Sequence, residues 1–148
     1  MAPQEKFSPM PARTIAIGDI HGHSRALAAL LENVKPQPQD TLVFLGDSID
    51  RGPDSRGVVE QVIALQERCH VVPLMGNHEE MLLNARETEY ALRADLPSPH
   101  YSGKTAVLGH TPQLDGRHVV CIDTGCGYGG VLTAMDVGTG RIWQVGQD

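Results

Sequence analysis

Four short motifs in this sequence place acidic, imidazole or amide side chains directly after a glycine. They are GDIHG at 18–22, GDSIDRG at 46–52, GNHEE at 76–80 and GHTP at 109–112. Carboxylate, imidazole and amide groups all bind divalent metal ions. This mixture favours Mn²⁺, Fe or Zn²⁺ over Mg²⁺ or Ca²⁺, which prefer oxygen ligands. One such motif alone is typical of a turn, but the recurrence indicates a metal centre.

Each motif follows a short apolar segment of the kind that forms a buried strand. The predicted strands are Thr14–Ile17, Leu42–Leu45, His70–Met75 and Thr105–Leu108. Ligands of open α/β sheets bind at the carboxyl ends of the strands, so we expect the motifs to meet at one edge of a sheet. The potential metal-binding residues brought there are Asp19, His21, Asp47, Asn77, His78 and His110.

Helices are predicted between the first strands, and further strands follow the last motif. Apolar residues at helical spacing predict helices at 24–34, 53–65 and 79–93, with Ser24 as the N-cap of the first. Strands are predicted at 118–122, 131–137 and 142–145, with turns between them. This order, βαβαβα and then mostly β, predicts an α/β fold.

Length and composition exclude several classes of protein. The 148 residues suffice for one domain, which we expect to cover 13–148 after a flexible tail at 1–12. The net charge of −6 argues against a nucleic acid partner, because phosphate binding normally needs a basic surface. No apolar run approaches the ~18 residues of a membrane span, and no signal peptide is recognisable. Three cysteines without CxxC spacing suit a reducing compartment, so we expect a cytoplasmic protein without membrane binding.

In this order, the four motifs resemble those of the calcineurin-like metallophosphoesterases. They look most like the phosphoprotein phosphatase branch, which comprises the serine/threonine protein phosphatases and their bacterial relatives. The resemblance spans about Thr14 to Trp143. It implies a metallophosphoesterase-type β-sandwich flanked by helices, here with a shortened middle region. It also implies two divalent metal ions, with Mn²⁺ expected first and Fe or Zn²⁺ as alternatives.

Carried over by position, the resemblance implies a set of metal ligands. Asp19 and His21 would bind the first ion, and Asp47 would bridge both ions. Asn77 and His110 would bind the second ion. A carboxylate bridge between two ions and a bridging hydroxide form a clamp for in-line displacement at phosphorus.

The resemblance also implies three catalytic residues. Arg51 would hold the phosphoryl oxygens through its guanidinium fork. His78 would protonate the leaving group as the general acid, and Asp50 would orient the imidazole. The implied reaction is direct attack of the bridging hydroxide on phosphorus, without a covalent enzyme intermediate.

The main hypothesis is therefore hydrolysis of phosphomonoesters, as in a phosphoserine or phosphothreonine protein phosphatase. Its substrate would be a phosphorylated protein or a small phosphoester. The enzymatic alternative is a dinucleoside tetraphosphatase-like hydrolase. We expect the second motif of those enzymes to lack the Asp50–Arg51 pair in the form seen here.

One expected motif is absent. The family places a further metal-binding histidine, in an HGG- or HAG-like motif, between GNHE and GHT, and residues 81–108 contain none. His100 is the only reasonable substitute. A second alternative is therefore a catalytically silent remnant that binds metal or phosphate only.

The sequence assigns no chemistry to several polar residues beside the motifs. Glu79 and Glu80 fit the first turn of a helix, where negative charge is favourable. His23 is expected at the rim of the site, and Asp123 in a turn. Cys126 is expected to be an unreactive loop thiol.

Overall fold

A computed structural model describes residues 11–84, 106–109 and 119–147 of the chain. The strands among these residues are β1 (Thr14–Ile17), β2 (Thr41–Phe44), β3 (His70–Pro73), β4 (Ala106–Leu108), β5 (Val119–Cys121), β6 (Leu132–Asp136) and β7 (Ile142–Val145). The helices are α1 (Ser24–Val34), α2 (Ser55–Leu65) and α3 (Asn77–Asn84), with a short 3₁₀ helix at Cys126–Tyr128.

The central sheet has five strands in the order β3-β2-β1-β6-β7. β1, β2 and β3 are parallel, whereas β6 is antiparallel to both β1 and β7. β4 and β5 form a separate parallel pair. Because β1, β2 and β3 point the same way, the motifs that begin at Gly18, Gly46 and Gly76 leave the sheet at one edge, as predicted.

The two faces of the central sheet are covered differently. Successive strand residues point to opposite faces. Ile15 and Ile17 of β1 belong to the larger core cluster with Leu27 and Leu30 of α1. Ala16, between them, packs in a second, smaller cluster on the other face. Its members are Ala16, Ile122 and Met135, with Leu45 and Val120 against them. Helices thus cover one face of the sheet, and the segment around β5 covers the other.

A buried ion pair joins the sheet at the end opposite the motifs. The carboxylate of Asp40 is fully buried and lies 2.5 Å from the Arg13 guanidinium. The Thr41 amide also donates to the Arg13 carbonyl oxygen at 2.8 Å, so the pair fixes the register where β1 and β2 begin.

Ser24 was predicted as the N-cap of the first helix, and this prediction is wrong. The N-cap is His23, without a side-chain capping bond, and Ser24 is the first helical residue. The Ser24 hydroxyl instead donates to the Asp54 carboxylate at 2.6 Å. Asp54 is the N-cap of α2 and also accepts from the Gly57 amide, so one carboxylate serves two adjacent helix starts.

Several boundaries differ from the predictions. β3 ends at Pro73, and Leu74 and Met75 are exposed. α3 begins at Asn77, two residues earlier than predicted. The predicted tail up to residue 10, the helix beyond residue 84 and His100 lie outside the described residues. None of the described helices is long and apolar enough to cross a membrane.

Candidate metal centre

The first motif buries a carboxylate and an imidazole beside each other. Asp19 and His21 are only 3% and 5% exposed, and His21 Nε2 lies 4.0 Å from an Asp19 carboxylate oxygen. His21 Nδ1 lies 3.1 Å from the Ile49 carbonyl oxygen, which can only accept, so Nδ1 carries the proton. Nε2 keeps the lone pair that a metal ligand needs. Burial also lowers the pKa of His21, which favours the neutral, metal-binding form.

The second motif is bonded to the first through the backbone of Asp47. The Asp47 carbonyl oxygen accepts from the Ile20 and His21 amides at 3.1 and 2.9 Å. The Asp47 side chain is buried. A left-handed backbone, uncommon outside glycine, recurs at site residues of both motifs. The residues and their φ angles are His21 (49°), Asp47 (47°), Asp50 (65°) and Arg51 (68°).

Glu79 holds the second motif in this conformation. One carboxylate oxygen accepts from the amides of Asp47 at 2.9 Å and Gly76 at 2.8 Å. The other oxygen accepts from the amides of Ser48 at 2.7 Å and Ile49 at 3.2 Å. Glu79 lies in the first turn of α3, as predicted, and its carboxylate also binds four backbone N–H groups, a structural role that was not predicted.

The sequence held a signal for this contact. Glu79 is the third residue of α3, and a glutamate at that position typically reaches back to the N-cap amide, as in a capping box. Here the N-cap amide belongs to Gly76. The close approach of β2 and β3 extends the same contact to Asp47.

The third motif adds Asn77 and His78. The His78 amide donates to an Asp47 carboxylate oxygen at 3.0 Å. Potential ligand atoms of His21, Asp47 and His78 all lie within 4.8 Å of one another. The Asn77 side-chain oxygen is buried and has no hydrogen-bond partner among the described residues. Because buried polar atoms are nearly always paired, this oxygen needs a partner that the described residues do not supply.

His78 also contacts the acid predicted to orient it. His78 Nδ1 lies 3.0 Å from the Asp50 carboxylate, and the two side chains are 13% and 55% exposed. The His78 ring meets the His21 ring edge-on, with centroids 4.8 Å apart. The imidazole thus lies between the buried His21 and the exposed Asp50.

Arg51 lies on the solvent side of these residues. Its guanidinium carbon is 4.2 Å from the centroid of the Tyr128 ring, which comes from the segment between β5 and β6. Gly127, the preceding residue, packs against His21 and Arg51. The glycines of this segment predict a turn, and nothing in the motif spacing indicates that Tyr128 lies at the site.

The fourth motif is described only at its glycine. A methyl group on Gly109 would lie 2.5 Å from an Asp19 carboxylate oxygen, so the GHTP motif begins against the first motif. His110, the next residue, lies outside the described residues, and its role as a ligand stays a prediction.

The described residues fit divalent metal ions. Two buried carboxylates, Asp19 and Asp47, follow neighbouring strands of the sheet and offer oxygen ligands of the kind that divalent ions bind. His21 Nε2 and an Asp19 carboxylate oxygen are 4.0 Å apart, which is within the ~4.0–4.4 Å that two ligands of one ion can span at bond lengths of ~2.0–2.2 Å. The Asn77 oxygen, which has no partner among the described residues, suits a second ion. Oxygen and nitrogen donors together suit divalent metal ions, and the choice among Mn²⁺, Fe and Zn²⁺ stays a prediction.

Comparisons with known proteins give the same family for most of the chain. A family model of calcineurin-like phosphoesterases matches residues 12–144. Serine/threonine-protein phosphatase 1 of Salmonella typhimurium is 40% identical over 91 residues, which are 58% of this chain and 40% of that protein. The symmetrical bis(5'-nucleosyl)-tetraphosphatase of Janthinobacterium sp. is 40% identical over 90 residues, 60% of this chain and 30% of that protein. The chain thus spans less than half of the length of these relatives.

A solved structure extends the likeness to the whole fold. The crystal structure of a proposed diadenosine tetraphosphatase is 22% identical to this chain, with a TM-score of 0.70. The match covers 95% of this chain and 96% of that one, so the shortened fold is shared by a known structure. On the family model, the shared fold and the motifs at one sheet edge, the chain belongs to the calcineurin-like phosphoesterase family.

Proposed function

We propose that this protein catalyses metal-dependent hydrolysis of phosphoric anhydrides and esters, with dinucleoside polyphosphates as the first substrate class. The observation that carries the proposal is the convergence of His21, Asp47 and His78 next to Asn77, whose buried oxygen has no partner in the described part of the chain. The substrate class is supported by the Janthinobacterium tetraphosphatase, which shares 40% identity with this chain over 90 residues. The main hypothesis from the motifs, a protein phosphatase, becomes the second candidate.

The proposed metal ligands are those that the family resemblance implies. Asp19 and His21 would hold one ion, Asp47 would reach both, and Asn77 would hold the second together with His110. Bound divalent ions would supply the positive charge that attracts a phosphoryl group and activates water. Asp47 is well placed for a shared role because its carboxylate lies between His21 and the start of α3.

Three further residues would act on the substrate. Arg51, exposed above the cluster, would bind phosphoryl oxygens through its planar fork. His78 would donate a proton to the departing oxygen, and Asp50 would hold the ring by the 3.0 Å contact to Nδ1. With Nδ1 engaged, the proton for the leaving group must come from Nε2.

The second candidate, hydrolysis of phosphomonoesters, is favoured by this same His78–Asp50 pair. An alkoxide leaving group needs a proton, whereas a nucleotide released from an anhydride is a much weaker base. A general acid contributes about 10²–10⁴-fold where the leaving group needs it. A pair built to deliver a proton is therefore more useful for serine and threonine phosphoesters. Salmonella serine/threonine-protein phosphatase 1, 40% identical over 91 residues, supports the same candidate.

The test compares substrates on the Mn²⁺-loaded protein. Diadenosine tetraphosphate, a phosphoserine peptide and p-nitrophenyl phosphate are assayed with wild type, Asp47→Asn and Asp136→Asn. Asp136 is a matched control, because it is also buried but pairs with Ile15 at the opposite end of β1. We expect Asp47→Asn to abolish turnover and Asp136→Asn to retain it.

Metal content separates an enzyme from a silent remnant. Mass spectrometry of the folded protein should find two Mn²⁺ ions per chain in wild type and fewer in Asp47→Asn. One ion or none in wild type, with no turnover of any substrate, would refute the proposal. His78→Asn then separates the two candidates, since its loss of rate should be far larger for the phosphoserine peptide than for diadenosine tetraphosphate.

A further inference from the structure

The segment between β5 and β6 presents one aromatic side chain beside the metal centre. The Tyr128 amide donates to the Gly125 carbonyl oxygen at 2.9 Å, and the Gly130 amide donates to the same oxygen at 2.8 Å. The Gly125 amide donates to Asp123 at 3.0 Å, and Cys126 is buried. Backbone and core contacts therefore fix the base of the segment, so that Tyr128 occupies a defined place.

Gly127 brings this segment into contact with the site. A methyl group on Gly127 would lie 2.5 Å from His21 Cδ2 and 2.9 Å from Arg51 Cδ. The next ring along the chain, Tyr128, has its centroid 6.5 Å from that of His21. No larger residue than glycine would let the segment approach a candidate metal ligand and a candidate phosphate ligand so closely.

The residue Tyr128 is 73% exposed, yet one face of its ring is covered by the Arg51 guanidinium, whose carbon lies 4.2 Å from the ring centroid. A guanidinium stacked on a ring face keeps its N–H groups at its edge, where they can still bind oxygens bidentately. Arg51 has a long side chain on a left-handed backbone and is itself exposed, so a defined position needs support from elsewhere.

We propose that Tyr128 is a positioning residue that holds the Arg51 guanidinium at the metal centre for phosphoryl binding. The inference rests on the proposed function, because Arg51 is a phosphate ligand only there. The ring takes no part in the reaction. Its contact restricts the rotamers of Arg51 before substrate arrives, so that less conformational entropy is lost on binding.

A double-mutant cycle tests the coupling. Tyr128→Leu, Arg51→Ala and the double variant are compared by kcat/KM for p-nitrophenyl phosphate and by inhibition with inorganic phosphate. An exposed cation–π contact supports about a two- to fivefold rise in KM for Tyr128→Leu, with kcat changed less. If Tyr128 acts through Arg51, the double variant should be no worse than Arg51→Ala alone.

A conservative variant guards against a general structural effect. Tyr128→Phe keeps the ring and should restore the wild-type KM and phosphate inhibition. The inference would be overturned if the losses of kcat/KM from Tyr128→Leu and Arg51→Ala multiplied in the double variant. It would also be overturned if Tyr128→Leu kept the wild-type KM, or if Tyr128→Phe raised the KM as much as Tyr128→Leu.

The two proposals fail in different ways. An active wild type without coupling between Tyr128 and Arg51 would refute only the positioning role. A wild type without turnover would refute the proposed function, and calorimetry of inorganic phosphate binding to the Mn²⁺-loaded variants then decides on Tyr128. Equal phosphate affinity of wild type and Tyr128→Leu, or no binding by either, would overturn the inference.

Discussion

Replacing Glu79 by glutamine should destabilise the protein far more than the loss of one surface charge. The carboxylate accepts four backbone N–H groups, two on each oxygen. A glutamine amide has a single acceptor oxygen, and its NH₂ group is a donor facing donors, so two N–H groups lose their partner. At ~1–3 kcal/mol for each of these two unsatisfied groups, we expect Glu79→Gln to cost ~2–6 kcal/mol.

The assay is equilibrium unfolding in urea, followed by circular dichroism and by the fluorescence of Trp143, the single tryptophan. Glu80→Gln is the matched control, because Glu80 is exposed in the same first turn of α3. It should cost under ~1 kcal/mol, the value of a charge near a helix N-terminus. A loss of ~2–6 kcal/mol is large beside a total stability of ~5–15 kcal/mol.

The same substitution should also weaken the site. The Glu79 carboxylate accepts a hydrogen bond from the amide of Asp47. Asp47 has a left-handed backbone and is the candidate ligand to both ions. Calorimetry should therefore find weaker Mn²⁺ binding in Glu79→Gln at a temperature where the variant is folded. Unfolding free energies within ~0.5 kcal/mol for the two variants would refute the reasoning, because four satisfied N–H groups would then contribute no more than one helix-end charge.

Two further substitutions test other features. Burial raises the pKa of Asp40, but hydrogen bonds from Arg13 and a backbone amide outweigh it and leave the pKa below its ordinary value of 3.8. The carboxylate therefore adds stability above that value, which is lost as the pH falls through the lower, folded-state pKa. Asp40→Asn should cost ~3 kcal/mol at pH 7 and flatten acid unfolding curves, and an unchanged curve would contradict this. Gly127→Ala should lower activity at least ~10-fold, because the methyl group meets His21, whereas Gly146→Ala, with open space around it, should act as wild type in the same assay.

The elements that carry the first three motifs could be predicted because each has a strong local pattern. β1 matches its prediction, β3 falls within its predicted range, and β2 is shifted by one residue toward the N-terminus. Short apolar runs between polar turns have few alternatives. The antiparallel pairing of β6 with β1 had no comparable signal. It joins residues far apart in the chain, and strand periodicity alone does not select a partner.

Candidate site residues were easier to find than the residues that hold them. Asp19, His21 and Asp47 carry metal-binding groups that spacing alone identifies. Glu79 and Tyr128 contact the site across different strands and loops, so their roles depend on tertiary distances that spacing does not encode. The prediction of Ser24 as an N-cap was wrong for the same reason, because the Ser24 hydroxyl donates to Asp54 at the start of the next helix.

The left-handed backbone of the site residues puts thermal stability and catalytic activity in conflict. A left-handed backbone costs ~1–2 kcal/mol for a residue with a side chain, and glycine avoids most of that cost. Glycine at Asp50 or Arg51 would therefore relieve the backbone while removing the chemistry. A mutant library sorted only for survival of heating would enrich such variants and discard active ones. Selection for a robust catalyst must apply both criteria in the same round.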